Sequence, residues 1–228
     1  KQRAADVVEK ALAKSLAQAH TAASAWTTIG RMRRDAGQED LAVQAALKAR
    51  TADSTAPGPI ILGLSLLNSG QPRLQTMLDD AMQGTVLPEL RLGYARALIS
   101  QQQYPQAMQQ LVLLNNKHPD FAEGWLIRGL LLQENGQTAE AEQQLSHYAK
   151  LNARNTEPEA QAGQAEALMA LAQIAQQQGQ IARAQQWLAQ MPPTADPIKL
   201  ASRQADLLAQ QGRMSEARLV LAQVKATT

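Results

Sequence analysis

The sequence predicts an all-α protein built from successive pairs of antiparallel helices, and three observations support this prediction. The first is composition: the chain has 228 residues, 45% of them hydrophobic and only 3% aromatic. Alanine and leucine dominate the apolar residues, and both are strong helix formers. The second is a pattern of small and large apolar residues that recurs about every 34 positions. The third is a glycine a few residues before a small residue in most copies, as expected where one helix ends and another begins.

The repeat is clearest in the middle of the chain. Ala141 lies 34 residues after Ala107 in a similar local sequence (141 − 107 = 34). The same offset links three more pairs of positions: Ala95 with Gly129, Leu98 with Leu132, and Leu111 with Leu145. Several coincidences at one offset indicate repeated structural units rather than a single irregular helical domain.

Further copies extend in both directions. Ala184 and Ala217 continue the pattern towards the C-terminus, and Ala42 continues it towards the N-terminus. A degraded copy with Gly63 and Gly70 has Gln75 where the small residue is expected. The step from Ala141 to Ala184 is 43 residues (184 − 141 = 43), about nine more than the regular step. The polar stretch 152–160, which contains a proline, is the predicted place of an inserted loop.

Each copy has a physical interpretation as a helical hairpin. A first helix of about 12–14 residues ends at a glycine suited to a left-handed C-cap, which predicts such caps at Gly136, Gly179 and Gly212. A second helix follows. Its small residue, such as Ala141, allows the two helices to pack closely.

This spacing resembles the tetratricopeptide repeat. The best copy is carried by Trp125, Gly129, Leu132, Gly136, Ala141 and Leu145, and Pro119 closes the copy before it. The resemblance covers roughly residues 22 to 225, and it implies a right-handed superhelical solenoid with about six helix pairs in residues 22–228. The chain departs from the pattern at most aromatic positions and at Gln75. Its composition also resembles that of bacterial repeat scaffolds.

Residues 1–21 are predicted to form an N-terminal helix with Val7, Leu12 and Leu16 at helical spacing. This helix is expected to belong to a truncated repeat or to cap the first complete pair. Because the sequence begins with Lys1 rather than methionine, we expect it to be a processed product or a fragment.

Composition and motifs argue against several classes of function. The absence of cysteine excludes disulfides and thiol chemistry, and a net charge of +2 predicts no nucleic-acid partner. The apolar core of the longest uncharged stretch, 60–67, is too short for a transmembrane segment. The three histidines, His20, His118 and His147, are scattered, and no nucleophile or phosphate-binding motif occurs. We therefore expect a non-enzymatic protein without cofactor, metal or catalytic residues.

The resemblance also implies a groove lined by the first helix of each pair. The residues it places there are Arg31, Arg34, Leu92, Arg96, Ile99, Leu126, Leu130, Gln133, Met169 and Gln173. This lining is basic near the N-terminus, apolar in the middle and rich in glutamine afterwards. Such a groove suits an amphipathic helix or an extended peptide with an acidic flank. For Leu92, Leu126 and Leu130, burial in the core between repeats is the alternative interpretation.

The function expected from these features is a protein-interaction scaffold that binds a peptide or helix of a partner protein, within a bacterial multiprotein assembly. The alternative is a self-associating structural module of a larger envelope or export protein, with nucleic-acid binding a distant third. An exposed end of a solenoid could also form a homo-oligomer. A periplasmic or envelope-associated location is favoured over a cytoplasmic one.

Overall fold

The computed structural model describes residues 2–12 and 19–225, and every regular element in these ranges is a helix. The chain divides into two compact units, Lys1–Leu114 (unit 1) and Asn115–Thr228 (unit 2). Within the described ranges, thirteen α-helices and one short 3₁₀-helix follow one another without a strand. The prediction of an all-α chain is confirmed.

Unit 1 begins with a single helix and continues with helix pairs. Its α-helices are α1 (Gln2–Ala11), α2 (Ala19–Asp35), α3 (Glu39–Ala52), α4 (Pro57–Ser65), α5 (Pro72–Gln83), α6 (Pro88–Ser100) and α7 (Tyr104–Lys117), the last of which ends in unit 2. The 3₁₀-helix Leu67–Ser69 follows α4. The core of this unit contains Ile60, Leu62, Leu78, Tyr94 and Leu98.

Unit 2 consists of three helix pairs. They are α8 (Ala122–Glu134) with α9 (Thr138–Leu151), α10 (Pro158–Gln177) with α11 (Ile181–Leu188), and α12 (Pro197–Gln210) with α13 (Met214–Lys225). The two helices of each pair pack against each other. We call α2, α4, α6, α8, α10 and α12 the first helices and their partners the second helices, which gives six pairs.

The predicted left-handed turns are confirmed. Gly136, Gly179 and Gly212 have φ angles of 75°, 73° and 76°, and each follows the end of a first helix. In the pair α8/α9, the amide of Gln137 donates to the carbonyl of Leu132 at 2.9 Å. This bond satisfies a carbonyl at the helix end and reverses the chain, as in a Schellman motif. Gln102 occupies the same turn between α6 and α7 with φ 61°, although it is not a glycine.

The small residues allow close helix contacts, as predicted. Ala107, Ala141 and Ala184 are fully buried. A Cβ atom placed on Gly129 would lie 2.6 Å from Leu145 Cγ, which is closer than carbon atoms can approach. The two helices of this pair therefore depend on a glycine on one helix facing a leucine on the other.

The nine extra residues between Ala141 and Ala184 do not form one long loop. Only residues 152–157 separate α9 from α10, and Pro158 occupies the first turn of α10. Proline is favoured there because the first amide of a helix needs no partner within the helix. Compared with the 13-residue α8, the 20-residue α10 has seven extra residues. The inserted loop predicted at 152–160 is therefore shorter than expected, because most of the insertion is helical.

The N-terminal helix packs against the first pair. Helix α1 contacts α2, and Arg33 on α2 forms ion pairs with Asp6 and Glu9 at 2.7 and 2.8 Å. Leu16 of the predicted segment 1–21 lies outside the described residues, and the first helix of the first pair begins at Ala19. Of the helices in 2–12 and 19–225, none combines the length and apolar character that a membrane crossing would require.

Candidate functional site

The residues predicted to line a groove divide between the two units, and in unit 2 four of the five come together. Leu130 and Gln133 on α8 and Met169 and Gln173 on α10 line one open cavity of about 450 Å³. We call this cavity and its lining the unit 2 groove. Its complete lining is Leu130, Gln133, Ala162, Ala165, Glu166, Met169, Ala170, Gln173, Met191, Thr194, Ala195, Asp196 and Lys199.

Helix α10 provides the longest wall of the unit 2 groove. Its contributing positions follow the spacing of a single helix face, namely 162, 165, 166, 169, 170 and 173. Ala162 lies in the seven-residue extension at the start of α10, so the insertion adds one lining residue at the end of this wall. Alanines dominate its first half and leave space, while the flexible Met169 supplies an adaptable apolar surface.

The opposite wall comes from a second departure from the repeat. Helix α11 has only eight residues, whereas α9 has 14, so residues 189–196 form a non-helical segment. This segment contains Pro192 and Pro193, which cannot continue a helix in its interior. It then crosses to α12, and the Thr194 hydroxyl donates to Gln161 Oε1 on α10 at 3.0 Å. That hydrogen bond ties the crossing segment to the extension of α10.

Asp196 holds the start of α12 at the edge of the unit 2 groove. Its Oδ1 atom accepts hydrogen bonds from the amides of Ile198 and Lys199 at 2.9 and 3.2 Å. An aspartate at this position satisfies amides that have no partner within the helix, and Pro197 occupies the first turn. Lys199 is thereby fixed in the first turn of α12, where its side chain lines the cavity.

The extension of α10 rests on a buried tyrosine. A Cβ atom on Gly163 would lie 2.2 Å from the Tyr148 hydroxyl and 3.1 Å from Leu126 Cδ2, so the backbone of α10 approaches both side chains closely. Burial raises the pKa of the Tyr148 phenol to about 12, and the nearby carboxylates of Glu123 and Glu166 add to this effect. The tyrosine therefore stays neutral and supports the wall from below.

Two charged side chains on the unit 2 groove are available to a ligand. Glu166 on α10 and Lys199 on α12 are exposed, and neither forms an ion pair with another residue in the described ranges. The neighbouring Arg203 is engaged differently: it donates to Gln176 Oε1 at 3.1 Å and to Gln173 Oε1 at 3.4 Å. These hydrogen bonds connect α12 to α10 and occupy the carbonyl end of Gln173.

Leu126 and Leu92 lie in the interior. Leu126 is 7% exposed and Leu92 is 5% exposed, which leaves little of either side chain for a ligand. For these two residues the geometry corresponds to the core alternative. Leu130 is half-buried and lines the unit 2 groove.

The remaining predicted residues belong to unit 1. Arg31 is exposed and lines a smaller cavity of about 300 Å³ beside Thr27 and residues 56–59. Arg34 donates to Ser65 Oγ at 2.9 Å and pairs with Asp35. Arg96 is exposed without an ion pair to any described residue, and Ile99 packs against the core of the unit. The three arginines place positive charge on α2 and α6, whereas α4 has no charged residue.

Several lining residues were not predicted from the sequence, among them Glu166, Met191, Thr194, Asp196 and Lys199. A signal for part of this set was present. The sequence MPPTADP at 191–197 contains three prolines and an aspartate in front of the last one, a pattern that ends one helix and begins another. Within the described ranges, no group of three or more histidine, aspartate or glutamate side chains could hold a metal ion.

Comparison with solved structures defines the fold. PilF of Pseudomonas aeruginosa is 15% identical with a TM-score of 0.59, covering 92% of this chain and 93% of that chain. YrrB, described as a TPR protein with an unusual peptide-binding site, is 15% identical with a TM-score of 0.55 (94% and 98%). PilW, described as a type IV pilus biogenesis factor, is 14% identical with a TM-score of 0.55 (90% and 93%). No protein-family model and no curated protein sequence matches the chain.

The chain is therefore similar, over nearly its whole length, to helical solenoids of the tetratricopeptide type. Six pairs of antiparallel helices with left-handed turns agree with this class. The prediction of the tetratricopeptide-repeat fold is confirmed.

Proposed function

We propose that this protein is a non-enzymatic scaffold that binds a segment of a partner protein in the unit 2 groove. The observation that carries the proposal is the convergence of α8, α10 and the start of α12 on one open cavity. Leu130, Met169 and Met191 give this cavity an apolar surface, and charged groups lie at its edge. Grooves of this composition suit amphipathic helices and extended peptides, because apolar anchors provide affinity while the edge provides orientation.

Structural neighbours support the kind of ligand proposed. YrrB, which shares this fold, is described as having a peptide-binding site. PilW is described as a pilus biogenesis factor, which supports a role for this chain in a bacterial assembly associated with the cell envelope. The support is by analogy of fold, since sequence identity is only 15% or below for both neighbours.

Self-association is a second candidate because α13 exposes large apolar side chains. Met214 and Leu219 are 59% and 62% exposed. Sedimentation of the wild type beside Leu219→Glu distinguishes this candidate: a dimer that the substitution dissociates supports it, and two identical monomers contradict it.

The proposed peptide binding can be tested without knowing the partner. The probe is a phage-displayed library of random dodecapeptides, selected against the full chain. Ala165→Glu places a carboxylate in the unit 2 groove, so we expect it to abolish binding of the selected peptides. Ala182→Glu is the matched control, because it introduces the same side chain at an exposed position in the first turn of α11.

Circular dichroism melts show whether both variants remain folded. Selected peptides that bind the wild type and Ala182→Glu but not Ala165→Glu support the groove. Peptides that bind all three proteins equally contradict it, as does a selection that enriches no sequence.

A further inference from the structure

The edge of the unit 2 groove carries opposite charges on its two walls. Glu166 projects from α10 and Lys199 from α12, and the described part of the chain offers neither an ion-pair partner. Opposite charges at one cavity that do not pair with each other remain available for a ligand. This arrangement differs from the basic edge and acidic partner expected from the sequence.

Neighbouring groups reinforce the charge of each wall. On the side of Glu166, the carboxylate of Glu123 also acts on the Tyr148 phenol, so two carboxylates lie in this area. On the side of Lys199, the guanidinium of Arg203 adds a second positive charge. The carboxylate of Asp196 opposes them, but its Oδ1 atom is engaged by two backbone amides of α12.

We propose that the partner segment carries a large apolar side chain between a basic residue and an acidic residue, and that the basic residue faces Glu166 while the acidic residue faces Lys199. This inference rests on the proposed function and specifies the chemistry of the partner. The apolar side chain enters between Leu130 and Met169. The two charges at the edge then determine the direction in which the segment lies, because reversing it would bring like charges together.

Charged groups at the edge of an interface contribute mainly to specificity and to the rate of association. Each exposed pair stabilises a complex modestly, whereas like charges oppose it. Replacing one attraction by a repulsion should therefore change affinity by about tenfold. The effect should weaken at high salt, since exposed charges are screened.

The experiment uses peptides from the dodecapeptide selection. The tightest binder that Ala165→Glu loses is synthesised together with a twin in which its acidic and basic residues are exchanged. Fluorescence anisotropy gives the affinity of both peptides for the wild type, for Glu166→Lys and for Glu166→Lys/Lys199→Glu. Glu140→Lys, an exposed carboxylate on the second helix α9, is the matched control.

We expect the wild type and Glu140→Lys to prefer the selected peptide by about tenfold. Glu166→Lys should lose this preference, and the double variant should prefer the twin. Glu166→Gln provides a milder version should the reversal disturb folding.

Two results would overturn the inference. If the peptides bind in the groove but the wild type and the double variant share the same preference, the charge pattern is wrong and the proposed function stands. If no selected peptide depends on the groove, both the inference and the proposed function fail.

Discussion

The helix pairs α6/α7 and α8/α9 carry different side chains at an equivalent position near the start of the first helix. In α6/α7 the residue near the start of the first helix is Arg91, and in α8/α9 the equivalent residue is Trp125 (125 − 91 = 34). Both side chains donate hydrogen bonds to carbonyl groups of the segment that precedes their helix. In these two copies a large hydrogen-bond donor occupies this position, a guanidinium in one and an indole in the other.

The guanidinium is the more demanding choice. Arg91 is 1% exposed, and its Nη2 atom donates to the carbonyls of Met82 and Gly84 at 2.8 and 3.2 Å. Its Nη1 atom donates to Gln110 Oε1 at 2.6 Å. Burial lowers the pKa of Arg91, and all these partners are neutral oxygens. Because two of them are carbonyls at the C-terminal end of α5, the positive charge is favoured there by the helix dipole.

The indole of Trp125 makes one hydrogen bond, whereas the guanidinium of Arg91 makes three. Trp125 Nε1 donates to the carbonyl of Pro119 at 2.9 Å, and the ring lies 4.3 Å from that of His147. Gln144 occupies the position equivalent to Gln110, and its buried Oε1 atom has no partner among the described residues. The glutamine at this position therefore accepts a hydrogen bond in α6/α7, whereas its counterpart in α8/α9 has no partner among the described residues. The difference shows that the backbone of the hairpin does not depend on this network.

The first prediction concerns the two large hydrogen-bond donors, Arg91 and Trp125. Arg91→Ala should lower the free energy of unfolding by about 3 kcal/mol, because it creates a cavity and leaves buried carbonyls unpaired. Trp125→Ala should cost less, since Trp125 is only half-buried and makes a single hydrogen bond. Urea titrations of the two variants measure the difference, and equal losses would contradict the distinction drawn between the two residues.

The second prediction concerns the turns of the same two pairs. Gln102 has a φ angle of 61°, where a side chain is strained, whereas Gly136 adopts 75° without that cost. Gln102→Gly should therefore raise the free energy of unfolding by about 1 kcal/mol, and Gly136→Gln should lower it by about the same amount. Thermal melts measure both effects. A destabilised Gln102→Gly variant would show that the Gln102 side chain contributes more than its backbone strain costs.

The third prediction concerns the pH dependence of stability, where the two units are expected to differ only at alkaline pH. Each unit buries one tyrosine: burial raises the pKa of Tyr94 well above its usual range, with a further contribution from Asp79, and raises that of Tyr148 to about 12. Well below pH 10 both phenols are protonated in the folded and the unfolded chain. As the pH rises from 10 to about 12, the unfolded chain loses these protons first, so stability falls.

Urea midpoints measured across this pH range test the third prediction. Tyr148→Phe should lose less stability than the wild type over the range, because only Tyr94 then contributes. Identical pH profiles would contradict a raised pKa of Tyr148 in the folded chain.

The sequence specified the repeat well because its signals are local. Glycines at the turns and alanines between the helices impose steric requirements that any copy must meet, and Gly136 and Ala141 lie where predicted. Four of the thirteen residues that line the unit 2 groove were predicted, namely Leu130, Gln133, Met169 and Gln173, because they lie at positions that the repeat determines.

Another part of the lining arises where the repeat is interrupted. The periodicity alone could not show that α11 ends at Leu188 and that the following segment is hydrogen-bonded to α10 through Thr194. The burial of Leu92 and Leu126 could not be predicted from the sequence either, because it depends on the packing of neighbouring helices. The expected acidic partner came from arginines that lie in unit 1, whereas the unit 2 groove carries both charges.

The length of the α10 extension has a consequence for how this site can change. The extension adds close to two full turns at the start of α10, so positions seven residues apart face nearly the same direction around the helix axis. A wall can thus be lengthened or shortened in steps of seven without rotating the face it presents. A designed variant lacking 158–164 should accordingly have a shorter α10 wall without Ala162, while the remaining positions of that wall face the unit 2 groove as before.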